Sequence, residues 1–255
     1  MTVIRAGFDS SKDNPCGTTV VAGFIAGADK WRSIEGQWNG LLALAGLETF
    51  HLTEIKHRFG SNWVEVVEPF GDLLESVELR SISAILRDVD WSQQDHSPAY
   101  KAILPYREHA ALYMLFGILA EDIELEFNNE PVAIVFDNDW DPPEKAGESV
   151  IRIHNAWRER NQKPPFDIFL KGRTDWESIP LQAADFLAGV LRVNPFPAMM
   201  LKQNDLGWLT AETPLAKLTR SLTTNGRGNF WSKDVAEKVA AIKKGLASSS
   251  EGQTS

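Results

Sequence analysis

Val132-Ala133-Ile134-Val135-Phe136-Asp137 is a run of five apolar residues that closes on a carboxylate. A run with no polar alternation is expected of a strand covered on both faces, so it belongs at the centre of a sheet rather than at its edge. Working outward, residues 145–160 read as a helix, 166–170 as a second strand and 179–192 as another helix. In the other direction, a helix opens near Pro105 and runs to about Phe127, with Leu112, Leu115, Leu119 and Ile123 on one face. Glu108 falls on that same inward face.

Three earlier strands complete the pattern. Residues 3–9 and 17–25 read as a hairpin around a loop rich in Ser, Asp, Asn, Pro and Gly, and residues 79–86 alternate as a third strand. Between them, residues 30–47 show helical spacing with Gly46 at the stop, and Asn62 is placed to cap a helix running to about Ser76. The order predicts an α/β fold: a mixed five-stranded sheet with helices on both faces and a helical insertion around residues 30–77. The main domain is expected over residues 1–193. A helical C-terminal extension is expected over 194–246, with helices from Pro214 and Ser232, and a disordered tail over 247–255.

Composition narrows the function. One cysteine among 255 residues excludes a disulfide framework or a cysteine-rich zinc site within one chain and fits a reducing, cytoplasmic location. The N-terminus has no signal-peptide pattern, and the most apolar segment, residues 110–120, is about half of the ~20 residues that cross a bilayer. A formal net charge of −9 opposes general attraction to phosphates, so nucleic acid would have to be met by a local basic patch. The candidates are Arg152, Arg158, Arg160 and Lys163, then Lys171 and Arg173, although a run of charge is more often a solvated face. The nine tryptophans sit in apolar helical patterns and read as core. No P-loop, dinucleotide fingerprint or Gly-x-Ser-x-Gly elbow occurs.

A carboxylate at the end of a buried strand is costly unless it meets a cation or several donors. Asp9 and Asp137 are both so placed, and each taken alone is better explained by a cap or a loop bond than by metal. In Leu181-Gln182-Ala183-Ala184-Asp185-Phe186-Leu187-Ala188-Gly189, Gln182, Asp185 and Gly189 share a helical face among small residues, so this helix is expected to approach the sheet closely and to bury Asp185. A salt bridge or a backbone bond is the plain alternative for Asp185.

These residues carry a resemblance. Gly7-Phe8-Asp9, His51-x-x-Glu54 followed by Trp63, Phe136-Asp137 and Gln182-x-x-Asp185 resemble the marks of the bacterial domain-of-unknown-function family 3800, in the ribonuclease H-like superfamily, over residues 3–191. Members commonly read Asp-Glu-Ser-Gly at the first strand, where this chain has Asp9-Ser10-Ser11-Lys12. The resemblance implies a ribonuclease H-like fold and an acidic cluster of Asp9, Asp137 and Asp185, with Glu108, holding Mg²⁺ or Mn²⁺ for nuclease or related phosphodiesterase chemistry. Hard cations prefer such oxygen donors, and a metal pair can activate water without a nucleophilic side chain. It also implies that His51, Glu54 and Gln182 border the site, His51 as proton shuttle or phosphate contact. The competing expectation is a non-catalytic binding module that keeps the fold and acts through a protein partner.

Overall fold

The computed structural model describes residues 4–13, 18–87, 106–127, 130–137, 148–161, 167–171, 178–193, 214–223 and 227–231. The chain begins with strand β1 (Ile4–Asp13), strand β2 (Thr18–Gly27), helix α1 (Ala28–Ala45) and helix α2 (Leu52–Phe59). A 3-10 turn (Gly60–Asn62) leads into helix α3 (Trp63–Ser76), then strand β3 (Arg80–Arg87) and helix α4 (Arg107–Glu126). Strand β4 (Val132–Asp137), helix α5 (Glu148–Asn161), strand β5 (Asp167–Lys171) and helix α6 (Ile179–Val193) follow. Helix α7 (Pro214–Thr223) and strand β6 (Arg227–Trp231) come last among the described residues.

The sheet order is β5-β4-β1-β2-β3-β6. β2 runs antiparallel to β1 and β3, whereas β4 is parallel to β1 and β5 is parallel to β4. The apolar run of β4 lies inside the sheet between β1 and β5, with Val132, Ile134 and Phe136 buried under α4 and α5, while Ala133 and Val135 on the other face are only half-buried, so the expected cover on both faces is incomplete among the described residues. The expected five strands are corrected to six among the described residues. Residues 227–231 pair in parallel with β3, so the C-terminal extension supplies a strand as well as α7. The segment Arg-Gly-Asn-Phe-Trp has little strand character of its own, and the open edge of β3 is what gives it a ladder. The expected helix from Ser232 and the tail over 247–255 lie outside the described residues.

Alternation along the strands divides the core in two. Ile4, Ala6 and Phe8 of β1 pack with Ile134 and Phe136 under α4 and α5. Val20, Ala22 and Phe24 of β2 pack on the other face with α1, α2, α3, α6 and α7. The insertion between β2 and β3 thus covers the same face as α6. Trp38, Phe50, Phe70 and Phe186 gather there with ring centroids 4.9–5.5 Å apart. Edge-on and tilted contacts of this kind add to the apolar burial.

Glycine decides how close α6 comes. At Gly7 a methyl group would collide with the backbone carbonyl of Pro180, so the first turn of α6 rests directly on β1. At Gly189 it would collide with the Leu52 side chain, which brings the start of α2 onto the same helix. Ala183, Ala184 and Ala188 are fully buried between these two contacts. α1 ends as its sequence predicts, with Gly46 at φ 65° donating to the carbonyls of Ala43 and Leu42. No helix among the described residues is long and apolar enough to cross a membrane.

Candidate functional site

The β1–β4 register stops at Phe8 opposite Phe136, so Asp9 and Asp137 are the next residues on two adjacent, parallel, central strands. β1 does not end at Asp9 as its sequence suggests. It continues to Asp13 because Ser10 to Asp13 remain paired with β2. Asp9 is opposite Ala22, whose side chain belongs to the α6-facing core, and directly paired residues project to the same face. Asp9 is half-buried, and its Oδ1 accepts the Ser10 N–H at 2.7 Å. The side chain of Asp137 lies outside the described residues.

Gln182 and Asp185, one helical turn apart on α6, grip the segment that precedes α2. Gln182 Oε1 accepts the indole N–H of Trp38 at 2.9 Å and the backbone N–H of Phe50 at 3.0 Å. Asp185 Oδ2 accepts the backbone N–H of Leu52 at 2.7 Å. Leu52 opens α2, so this carboxylate satisfies one of the first-turn donors that the helix leaves open and sits at the positive end of its dipole. The expected burial of Asp185 is observed, and its bond is to backbone rather than to Arg or Lys among the described residues.

The same Oδ2 lies 3.4 Å from His51 Nδ1, with side-chain exposures of 12% for Asp185 and 31% for His51. Nδ1 is itself buried, while the side chain as a whole is about a third exposed. A carboxylate at Nδ1 favours the tautomer with the proton there and leaves Nε2 as the basic nitrogen. Asp185 Oδ1 takes part in neither contact. Glu54 is exposed on the first turn of α2, three residues from His51 and on the α6 side of the sheet. His51 and Glu54 therefore do not fall on the opposite side from Asp185.

Glu108 stands apart from this group. It is buried in the first turn of α4, which covers the other face of the sheet, with its Oε1 3.9 Å from Arg107 Nε. Among the described residues no three His, Cys, Asp or Glu side chains converge as a cation site requires, so Asp9, Glu108, Asp185 and His51 do not form one between themselves. Of the basic candidates, Arg152 and Arg158 are exposed on α5, while the side chains of Arg160, Lys163, Lys171 and Arg173 lie outside the described residues.

Two features had no warning in the sequence. Trp38 reads as core, yet its indole is the polar partner of Gln182 across 144 positions. Asp122, fully buried on α4, is bound by Arg80 Nε and, at 3.0 Å, by Arg80 Nη2, with Glu126 3.4 Å from the same guanidinium. That network ties α4 to β3 and lies on the face opposite α6. No protein-family model matches the chain, and no curated protein matches it.

Proposed function

We propose that the chain is a divalent-metal-dependent nuclease or related phosphodiesterase of ribonuclease H-like fold, akin to family 3800. The observation that carries this reading is the register that sets Asp9 and Asp137 side by side on the two central parallel strands. An antiparallel β1-β2-β3 meander followed by parallel β4 and β5 on the other side of β1 is the strand arrangement expected of that fold. Neighbouring carboxylates at this position suit a hard cation such as Mg²⁺ or Mn²⁺, which takes oxygen ligands. Asp9 and Asp137 would hold it, with Asp185 contributing through Oδ1. When bound, the cation supplies the charge that makes a water nucleophilic and stabilises the leaving oxygen of a phosphodiester.

The chain's own residues have separable parts. Asp185 holds the start of α2 and lies beside His51, whose imidazole would accept or deliver a proton or contact a phosphate oxygen. Gln182 fixes the backbone beside it. A cytoplasmic location accords with the single cysteine. The second reading, a non-catalytic module working through a protein partner, is favoured by one observation: Gln182 and the Oδ2 atom of Asp185 are already committed to holding residues 50–52.

The test is cleavage of end-labelled single-stranded and double-stranded nucleic acids in Mn²⁺, comparing the parent with Asp9→Asn and Asp137→Asn. Metal-dependent cleavage by the parent, reduced by about 100-fold or more in both variants, is expected. Absence of cleavage, or equal cleavage by the variants, favours the binding module.

A further inference from the structure

His51 stands between two clamped neighbours. On one side the Phe50 N–H donates to Gln182 Oε1 at 3.0 Å, and on the other the Leu52 N–H donates to Asp185 Oδ2 at 2.7 Å. The His51 carbonyl accepts the Ile55 N–H at 3.0 Å, closing the first turn of α2. His51 itself is extended, at φ −139° and ψ 108°, and extended chain sends successive side chains to opposite sides. Phe50 and Leu52 accordingly enter the core, while the His51 side chain stays partly exposed with Nδ1 3.4 Å from Asp185 Oδ2. The backbone from which this imidazole springs is thus tied to α6 on both sides.

An amide side chain carries an acceptor oxygen on one side and a donor NH₂ on the other, and its terminal torsion is broad. Trp38 settles which way Gln182 faces. The indole N–H, which can only donate, reaches Oε1 at 2.9 Å, and the same oxygen is thereby presented to the Phe50 N–H. Turned over, the amide would set its NH₂ against two N–H groups, in a place where Trp38, Phe50 and Gln182 are all buried and water offers no substitute. A phenylalanine would keep the ring contacts of Trp38 to Phe50 and Phe70, at 5.5 and 4.9 Å between centroids, so packing alone does not call for an indole.

We infer that Trp38 is a positioning residue for His51: its indole N–H sets the Gln182 amide, the amide holds Phe50, and Phe50 and Leu52 together set the imidazole against Asp185. The use of His51 in catalysis rests on the nuclease reading; its placement does not. Trp38 belongs to α1, so the insertion between β2 and β3 shares with α6 the task of holding this histidine.

The experiment uses the full chain, labelled with ¹³C and ¹⁵N and kept in chelator, with the histidine ring signals read by NMR. His51→Gln identifies the His51 signal among those of the five histidines. Trp38→Phe and Gln182→Met should each shift or broaden that signal, whereas Gln182→Glu, whose carboxyl group still accepts both N–H groups, should leave it as in the parent. Met matches the volume of Gln, so a role in packing alone would make Gln182→Met the parent-like variant instead. His154, packed on Phe116 in the core of the other face, should be unmoved throughout and so reports an intact fold. An unaltered His51 signal in both Trp38→Phe and Gln182→Met, or one displaced as far by Gln182→Glu as by Gln182→Met, overturns the inference. In Mn²⁺ with a nucleic-acid substrate, kcat of Trp38→Phe should fall about tenfold with KM within about twofold, because the histidine is misplaced while substrate binding is kept. A responsive His51 in a parent that cleaves nothing sustains the positioning and sinks the nuclease reading. Cleavage by the parent and by Trp38→Phe at equal kcat does the reverse.

Discussion

Replacing Gln182 with Met keeps the volume of the side chain and removes its acceptor. Trp38 and Phe50 are both fully buried, and each donates an N–H to Gln182 Oε1, at 2.9 and 3.0 Å. A buried donor left without its partner costs about 1–3 kcal/mol. Two such donors, with some relaxation around them, place the loss at about 2–4 kcal/mol, a large fraction of a typical domain's stability. A second substitution separates the hydrogen bonds from packing. In a Trp38→Phe background only the Phe50 N–H remains to be orphaned, so Gln182→Met should cost about 1–2 kcal/mol less than in the parent. Urea unfolding followed by circular dichroism, with unchanged m-values, measures all four corners of the cycle. If Gln182→Met falls within about 0.5 kcal/mol of the parent, or costs the same in both backgrounds, the clamp is not what holds residues 50–52.

Asp185→Ala should cost about 2 kcal/mol by orphaning the Leu52 N–H, whereas Asp185→Asn keeps an acceptor there and should lose less than about 1 kcal/mol; equal losses in urea melts would contradict the assigned bond. Burial, then the positive charge of Arg158, lowers the pKa of His154 below its ordinary 6.5. The unfolded chain then takes up this proton first, so His154's contribution to stability is present above about pH 6.5 and is lost as pH falls through that range toward the folded pKa. Thermal melts between pH 7.5 and pH 5 should show this fall and a shallower one in His154→Gln. Arg80→Met strands the fully buried Asp122 and should cost about 3 kcal/mol, more than Asp122→Asn, which leaves the partly exposed guanidinium able to reach water. The reverse order in denaturation experiments would show that the pair is not the tie between α4 and β3.

What could be read in the sequence depended on how local its cause is. The Val132-to-Phe136 run is legible because a strand inside the sheet, with one face buried and the other half-buried, admits almost no polar residue. Gln182 and Asp185 are legible as a buried pair because their spacing puts them on one face of α6, but their partners are not. The donors at Trp38, Phe50 and Leu52 lie 132 to 144 positions away, and two of them are backbone groups without a residue-type signature. α2 was not legible for the same reason: it is eight residues long, buries only Leu52 and Ile55, and begins at an amide held by Asp185. β6 exists only as a partner for the edge of β3. The adjacency of Asp9 and Asp137 could be anticipated from two strands that each reach a carboxylate, while the face taken by Glu108 depended on the packing of α4.

Divalent-cation binding by the Asp9–Asp137 pair is the property of this protein most open to direct test. Melting curves of the parent, Asp9→Asn and Asp137→Asn, each in chelator and in Mn²⁺, measure this without requiring a substrate. At one hundred times its dissociation constant, a ligand adds about 2.7 kcal/mol to the state that binds it. The parent should therefore melt several degrees higher in Mn²⁺ and both variants should barely move, while in chelator the variants should equal or exceed the parent because one of two neighbouring charges is gone. Equal shifts in all three proteins, or no shift in the parent, would mean that these carboxylates hold no metal.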